Sequence, residues 1–324
     1  MKNVPKLIGS SGDSLREACG KALIKIADKY PKVVVLDADI AGGTGMHHFR
    51  KKFPNRFIQC GIAEQNMMAM AGGLAATGLI PVVTTFAVFM LRAIEQARLS
   101  IAYADMNVKL IASHPGLDVG PDGASAQCLE DLACYRSIPN MVVLSPCDPL
   151  ETELATEAIL NMNGPVYMRT GRSESKRILP ENYSFEIGKG KILKNGSDIT
   201  LIGCGVTVSR SLDAANILEE NGVSARVVNM SSIKPIDEDL LIKCSKETGG
   251  IVTVEDHSII GGLGSAVAEV LSKYNPSFIE FVGTLDTFGE SGEPDELAKK
   301  YCIDKMAIVN ASKLLIKKID EAQK

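Results

Sequence analysis

A chain of 324 residues, 45% hydrophobic and 23% charged, has the make-up of a globular protein long enough for two cored domains. Its net charge of −4, without any basic run or basic-aromatic interleaving, removes the electrostatic case for nucleic acid. The eight cysteines form no Cys-x-x-Cys pair and no Cys/His cluster with zinc spacing, so they read as reduced core thiols of a cytoplasmic protein.

Residues 1–11 hold no apolar core of secretory length, and no signal peptide is expected. The spacing of Leu15, Ala18, Ala22, Leu23 and Ile26 predicts a helix over 14–30 with Ser14 as its N-cap. Short apolar runs then alternate with helical patterns, as strands buried in a parallel sheet do. Strands are predicted at 33–36, 56–59, 80–85, 108–112, 141–144 and 166–169, and helices at 66–76, 90–104, 125–136 and 149–162. The first strand runs into Asp37-Ala38-Asp39 and a loop carrying Gly42, Gly43 and Gly45.

The stretch 65–91 carries no charge and is long enough to cross a bilayer. Gly72-Gly73, Pro81 and Thr84-Thr85 divide it into helix, turn and strand, so no membrane span is expected. Residues 171–197 are polar and turn-rich, which suits an interdomain connection. A second series follows: strand 199–202, helix 207–221, strands 225–229 and 250–254, helix 265–273 and strand 278–282. The alternation predicts an α/β protein of two doubly wound domains, over 1–175 and 197–324, with a linker at 176–196.

The most informative motif is Cys60-Gly61-Ile62-Ala63-Glu64-Gln65-Asn66, which sets one carboxylate at the mouth of the uncharged run. Such an acid must be solvated, paired or bound, because burying it alone is costly. Phe86 and Phe89 straddle the end of the strand that follows. They suit core packing, or stacking of a flat aromatic ligand worth about 0.5–1.5 kcal/mol beyond burial.

His114 opens a loop rich in glycine and aspartate (Gly116, Asp118, Gly120, Asp122, Gly123) at the carboxyl end of a strand, a setting fit for recognising hydroxyl groups. Gly203-Cys204-Gly205 lacks the third glycine of a dinucleotide fingerprint, since Val208 stands there, and reads as a strand-to-helix turn. Gly261, Gly262 and Gly264 suit close helix packing. His257, at the end of Val254-Glu255-Asp256-His257, reads as a hydrogen-bonded interface histidine.

Together with Thr84-Thr85-Phe86-Ala87-Val88-Phe89, Asp122-Gly123-Ala124-Ser125, Leu129-Glu130-Asp131-Leu132-Ala133 and Arg169-Thr170-Gly171-Arg172, these segments resemble the C-terminal half of a transketolase in its split form. The resemblance covers nearly the whole chain. It implies a thiamine diphosphate pyrimidine-binding domain followed by a transketolase C-terminal domain. It also implies transfer of a two-carbon ketol unit from a ketose phosphate to an aldose phosphate, as in the pentose phosphate pathway.

On that resemblance Glu64 matches the carboxylate that hydrogen-bonds the aminopyrimidine ring of the cofactor, and Phe86 and Phe89 match the aromatics lining the ring. Asp39 matches an acid near the cofactor and the dimer interface. His114 and Asp122 match residues that contact sugar hydroxyls. Arg16 and Arg172 match arginines that hold the sugar's phosphate, where a guanidinium fork fits.

The chain has no Gly-Asp-Gly followed by Asn, the family's magnesium and diphosphate anchor, and nothing else in it resembles a magnesium site. The resemblance therefore implies that Mg2+ and the diphosphate lie on an N-terminal-section partner subunit, in an alpha2beta2 heterotetramer with a second copy of this chain. Two positions depart from the family pattern: Ala126 replaces a histidine or glutamine near the donor's terminal hydroxyl, and Gly43 replaces a serine beside the phosphate arginines, with Thr44 next to it. Four alternatives stay open: a specialised transketolase for a modified, branched or sulfonated sugar, the beta subunit of a 2-oxo acid dehydrogenase, a 1-deoxyxylulose 5-phosphate synthase fragment, and a degenerate scaffold or regulatory subunit.

Overall fold

The computed structural model describes residues 13–322, so the stretch 1–11 read for a secretory signal lies outside it. Among the described residues, twelve strands form two sheets. The first sheet contains β1 (Val33–Asp37), β2 (Phe57–Gln59), β3 (Ile80–Phe86), β4 (Lys109–Ser113), β5 (Val142–Leu144) and β6 (Val166–Thr170). The second contains β7 (Lys191–Lys194), β8 (Ile199–Gly203) and β9 (Ala225–Asn229). The short strand β10 (Ser232–Lys234) comes next in the chain but joins the first sheet, while β11 (Ile251–Ser258) and β12 (Ile279–Thr284) complete the second.

The strand orders are β10-β5-β6-β4-β3-β1-β2 and β12-β11-β8-β9-β7. All pairings are parallel except those of β10 with β5 and β7 with β9. Strands β4, β6, β8 and β9 are buried along their whole length, which is why each has a short apolar core, although β4, β6 and β9 also bury Lys109, Arg169 and Arg226.

Helix α1 (Leu15–Ile26) buries Leu15, Ala18, Ala22, Leu23 and Ile26, the face its spacing predicts. Ser14 makes no side-chain cap; its backbone instead bridges Glu174. Helix α2 (Glu64–Ala76) and β3 divide the uncharged run as expected, and no described helix is long and apolar enough to cross a membrane. Helix α3 (Pro149–Asn161) starts on Asp148, whose carboxylate accepts the Glu151 N–H at 2.8 Å, with Pro149 in its first turn.

Two expected helices take a different form. Over 90–104 the chain breaks into a short helix (Ala87–Met90), a 3₁₀ turn (Leu91–Ala93), a further turn (Ile94–Gln96) and a wide π turn (Ala97–Ala102). Gly72 of α2 lets the Ser100 carbonyl approach so closely that a Cβ there would lie 2.6 Å from it. Over 125–136 only Asp131–Arg136 is helical. The carbonyls of Cys128 and Leu129 accept from the N–H groups of Gly116 and Ser258 instead of a helical ladder.

The stretch 176–196 is not structureless, since β7 lies within it. Lys109 is buried in β4 with its ammonium on the carbonyls of Met162 and Gly164. Five cysteines are buried, Cys60 and Cys134 are half-buried, and Cys302 is exposed.

Candidate functional site

Apart from Arg16 on α1, the residues singled out from the sequence follow the carboxyl ends of β1, β2, β3, β4 and β6, where open α/β sheets place their ligands. Glu64 is the first residue of α2, and the unpaired N–H groups of that turn favour a carboxylate. Its side chain is only 7% exposed and is not alone: Arg92 donates from Nη1 to Oε1 at 2.9 Å. Arg92 stands on the 3₁₀ turn and is 54% exposed, so it reaches the acid from the solvent side.

The guanidinium of Arg92 also lies over the Phe89 ring, 4.5 Å from its centroid. Gln65 donates to the Arg92 carbonyl at 3.2 Å and fixes the backbone from which that arm extends. Ile62, Ala63, Glu64, Gln65, Asn66 and Arg92 line an open crevice.

The row continues inward. Phe86, at the end of β3, stacks on Phe89 with centroids 5.4 Å apart and on the His114 imidazole at 3.6 Å. His114 and Asp39 both have positive φ (59° and 63°), an uncommon conformation for residues with a Cβ, held here just beyond β4 and β1. Gln59 pins Asp39 by accepting from its N–H (3.0 Å) and donating to its carboxylate (3.3 Å). The same amide oxygen accepts the N–H of Gly61, so the Asp39 turn and the Glu64 motif share one anchor.

Burial, then Arg16 and Arg172, push the His114 imidazole down to about 3, so it is neutral at ordinary pH. Its Nδ1 lies 3.0 Å from the Ser113 hydroxyl. Arg16 donates to the Gly43 carbonyl at 2.8 Å, and Arg172 pairs with Asp122 at 3.6 Å. Burial lowers the Arg16 guanidinium, Glu17 opposes that effect, and Arg172 adds to it. Arg16, His114, Asp122 and Arg172 thus form one cationic end of the site, and the aromatic row joins it to Glu64.

Both departures from the family pattern have a structural setting. A Cβ at Gly43 would lie 2.7 Å from the Phe86 ring, so the aromatic row occupies the place of a side chain there. Thr44 does not substitute, because it is buried and its hydroxyl points to the Ala41 carbonyl. Ala126 is half-buried, while its neighbour Gln127 turns away to donate to the Glu290 carbonyl at 2.9 Å.

His257 does not join this cluster. It is buried at the contact between the two sheets' domains, where Nδ1 donates to the Ser258 carbonyl and Nε2 accepts the Ala133 N–H, with burial pushing it down to about 4. Asp256 beside it accepts the N–H groups of Leu117 and Asp118 at 2.9 and 3.0 Å, so the second domain holds the loop bearing Asp122. Gly116, with φ +74°, sits so close to that carboxylate that a Cβ would collide with it.

Arg92, Gln59 and Asp256 escaped the sequence reading. Arg92 ends the uncharged run, and its position directly after that run was the one available signal. Gln59 and Asp256 both accept from backbone N–H groups, contacts that leave no pattern in a sequence.

Residues 12–177 match the transketolase pyrimidine-binding domain and residues 188–308 the transketolase C-terminal domain. The chain belongs to the transketolase family. It is 49% identical, over 90% of its length and 92% of the relative's, to a Methanocaldococcus jannaschii protein provisionally named a transketolase C-terminal section. It is 39% identical to the 6-deoxy-6-sulfo-D-fructose transketolase subunit SqwH of Clostridium sp. (strain MSTE9), over 92% of this chain and 93% of that one. Identity to the Rattus norvegicus transketolase is also 39%, but the chain spans only half of that protein. A structure described as a split gene transketolase, inactive beta4 tetramer, superposes with a TM-score of 0.89 at 46% identity, covering 94% of this chain and 99% of that chain.

Proposed function

We propose that this chain is one subunit of a two-subunit, thiamine diphosphate-dependent transketolase, acting with a partner that carries the diphosphate and Mg2+ site. The observation that carries this reading is the unbroken row Glu64–Arg92–Phe89–Phe86–His114, with a carboxylate at one end and paired arginines at the other. The buried Glu64 carboxylate suits a heterocycle nitrogen, and the Phe89 face beneath the Arg92 guanidinium suits a flat ring. When bound, thiamine diphosphate would supply the electron sink for breaking a carbon–carbon bond.

This chain's residues do the rest. Glu64 holds a proton shared with the ring nitrogen, which requires Arg92 to swing off through the solvent it already faces. His114, uncharged, exchanges hydrogen bonds with hydroxyls, and Asp122 accepts another. Arg16 and Arg172 face the anionic end of the sugar.

The experiment mixes the purified chain with an N-terminal-section subunit, cofactor and Mg2+, using xylulose 5-phosphate as donor. Turnover is expected only in the mixture, and Glu64→Gln in the mixture should lose about 10²–10⁴-fold while still assembling. Turnover by the chain alone would overturn the two-subunit reading, unchanged Glu64→Gln turnover would overturn the role of Glu64, and turnover of pyruvate would favour the 2-oxo acid dehydrogenase alternative.

One observation favours a modified sugar as a second reading: Gly43 and Ala126 leave two polar side chains fewer around the donor than the family pattern has. A sulfonate would meet the same two arginines. Comparing 6-deoxy-6-sulfofructose with xylulose 5-phosphate in the same mixture separates the two.

A further inference from the structure

Away from that row, folding gathers three metal-ligating side chains that show no zinc spacing in the sequence. Glu17 comes from α1, and His47 and His48 come from the first turn of the helix His47–Lys52; their ligand atoms all lie within 4.8 Å of one another. His48 Nε2 is 3.0 Å from the Glu17 carboxylate. Nδ1 of His47 is buried without a hydrogen-bond partner, an orphan in a structure whose buried polar atoms mostly find one. A carboxylate–imidazole pair alone would satisfy Glu17 and His48 and leave His47 unexplained.

We propose that Glu17, His47 and His48 form a binding site for a divalent transition metal of the zinc class, with the fourth position taken by water. Two imidazoles and one carboxylate suit Zn2+, Co2+ or Ni2+; a hard, oxygen-seeking ion such as Mg2+ is poorly served. Bonds of about 2.0–2.2 Å place tetrahedral ligand atoms about 3.2–3.6 Å apart. The observed separations therefore close by side-chain rotation, which the partly exposed rings permit.

The ion would clamp α1 to the helix His47–Lys52, just beyond the turn Ala41–Thr44 that the Arg16–Gly43 hydrogen bond already ties to α1. The site stands independently of the thiamine reading.

The test uses the whole chain, stripped with chelator and then titrated with zinc chloride against a competing chromophoric chelator. One equivalent is expected to bind, raising the thermal midpoint as zinc rises, while magnesium chloride leaves both readouts unmoved. Glu17→Gln should weaken binding at least about tenfold, and His47→Gln with His48→Gln should remove it. Absence of zinc binding, or binding unchanged in the double variant, would overturn the proposal. Should the double variant fail to fold, the cobalt spectrum of the unaltered chain decides: visible bands without a thiolate charge-transfer band support the site, and a thiolate band assigns the metal to cysteine and overturns it.

Discussion

His114 is held where burial and the guanidiniums of Arg16 and Arg172 deny it a proton. Its folded value, about 3, lies below the ordinary imidazole value of 6.5. Between those limits the unfolded chain binds the extra proton, so this contribution to stability is complete above pH 6.5 and is lost as pH falls toward 3. His114→Asn should therefore lose less of its thermal midpoint between pH 7 and pH 5 than the parent does. An equal loss in both proteins would remove the argument.

The same residue shows how far a sequence can be read. A histidine opening a Gly- and Asp-rich loop was visible as a candidate. Its neutral state was not, because that state comes first from burial in the folded chain and then from arginines far away along the sequence. Glu64 was conspicuous for the same reason that its partner was not: the run that isolates the acid ends one residue before Arg92.

Ten of the twelve described strands, and α1, α2, α3, Thr207–Glu220 and Leu263–Tyr274 among the helices, could be read from the sequence, whereas β7, β10 and the helices Glu238–Glu247, Pro294–Lys300 and Lys305–Ala322 were not. Two expected helices failed because their backbone is occupied by something else. Over 90–104 the apolar spacing suits a helix, yet contact with α2 breaks it into short turns and sets Arg92 beside Glu64. Over 125–130 the carbonyls go to Gly116 and Ser258.

Two adjacent glycines of α2 test the first case. A Cβ at Gly72 meets the Ser100 backbone oxygen, whereas at Gly73 it meets nothing within 4 Å. Gly72→Ala should destabilise by about 1–3 kcal/mol. Gly73→Ala should stabilise by up to about 1 kcal/mol through helix propensity. Denaturant midpoints of the two variants check both signs, and a shift in the same direction for both would discount the close approach.

At the scale of the molecule, the two sheets are joined by buried polar contacts more than by a flexible tether. Asp131 accepts from Tyr167 and from Arg169, and Arg169 also donates to the Asp256 carbonyl of the second domain. Burial works against the Asp131 carboxylate, but the Arg169 guanidinium holds it below the usual carboxylate range. Asp131→Ala strands a buried guanidinium and should cost about 3–5 kcal/mol, read as a fall in thermal midpoint. A loss under about 1 kcal/mol would mean that water reaches the pair.

Strand β10 belongs by sequence to the second half, yet it pairs antiparallel with β5 through Ser232↔Leu144 and Lys234↔Val143. A gene cut between the halves would strip that border from the first sheet. The exposed amides and carbonyls of β5 would then offer a free seam to any stray extended peptide, and self-association of the truncated piece is the expected result.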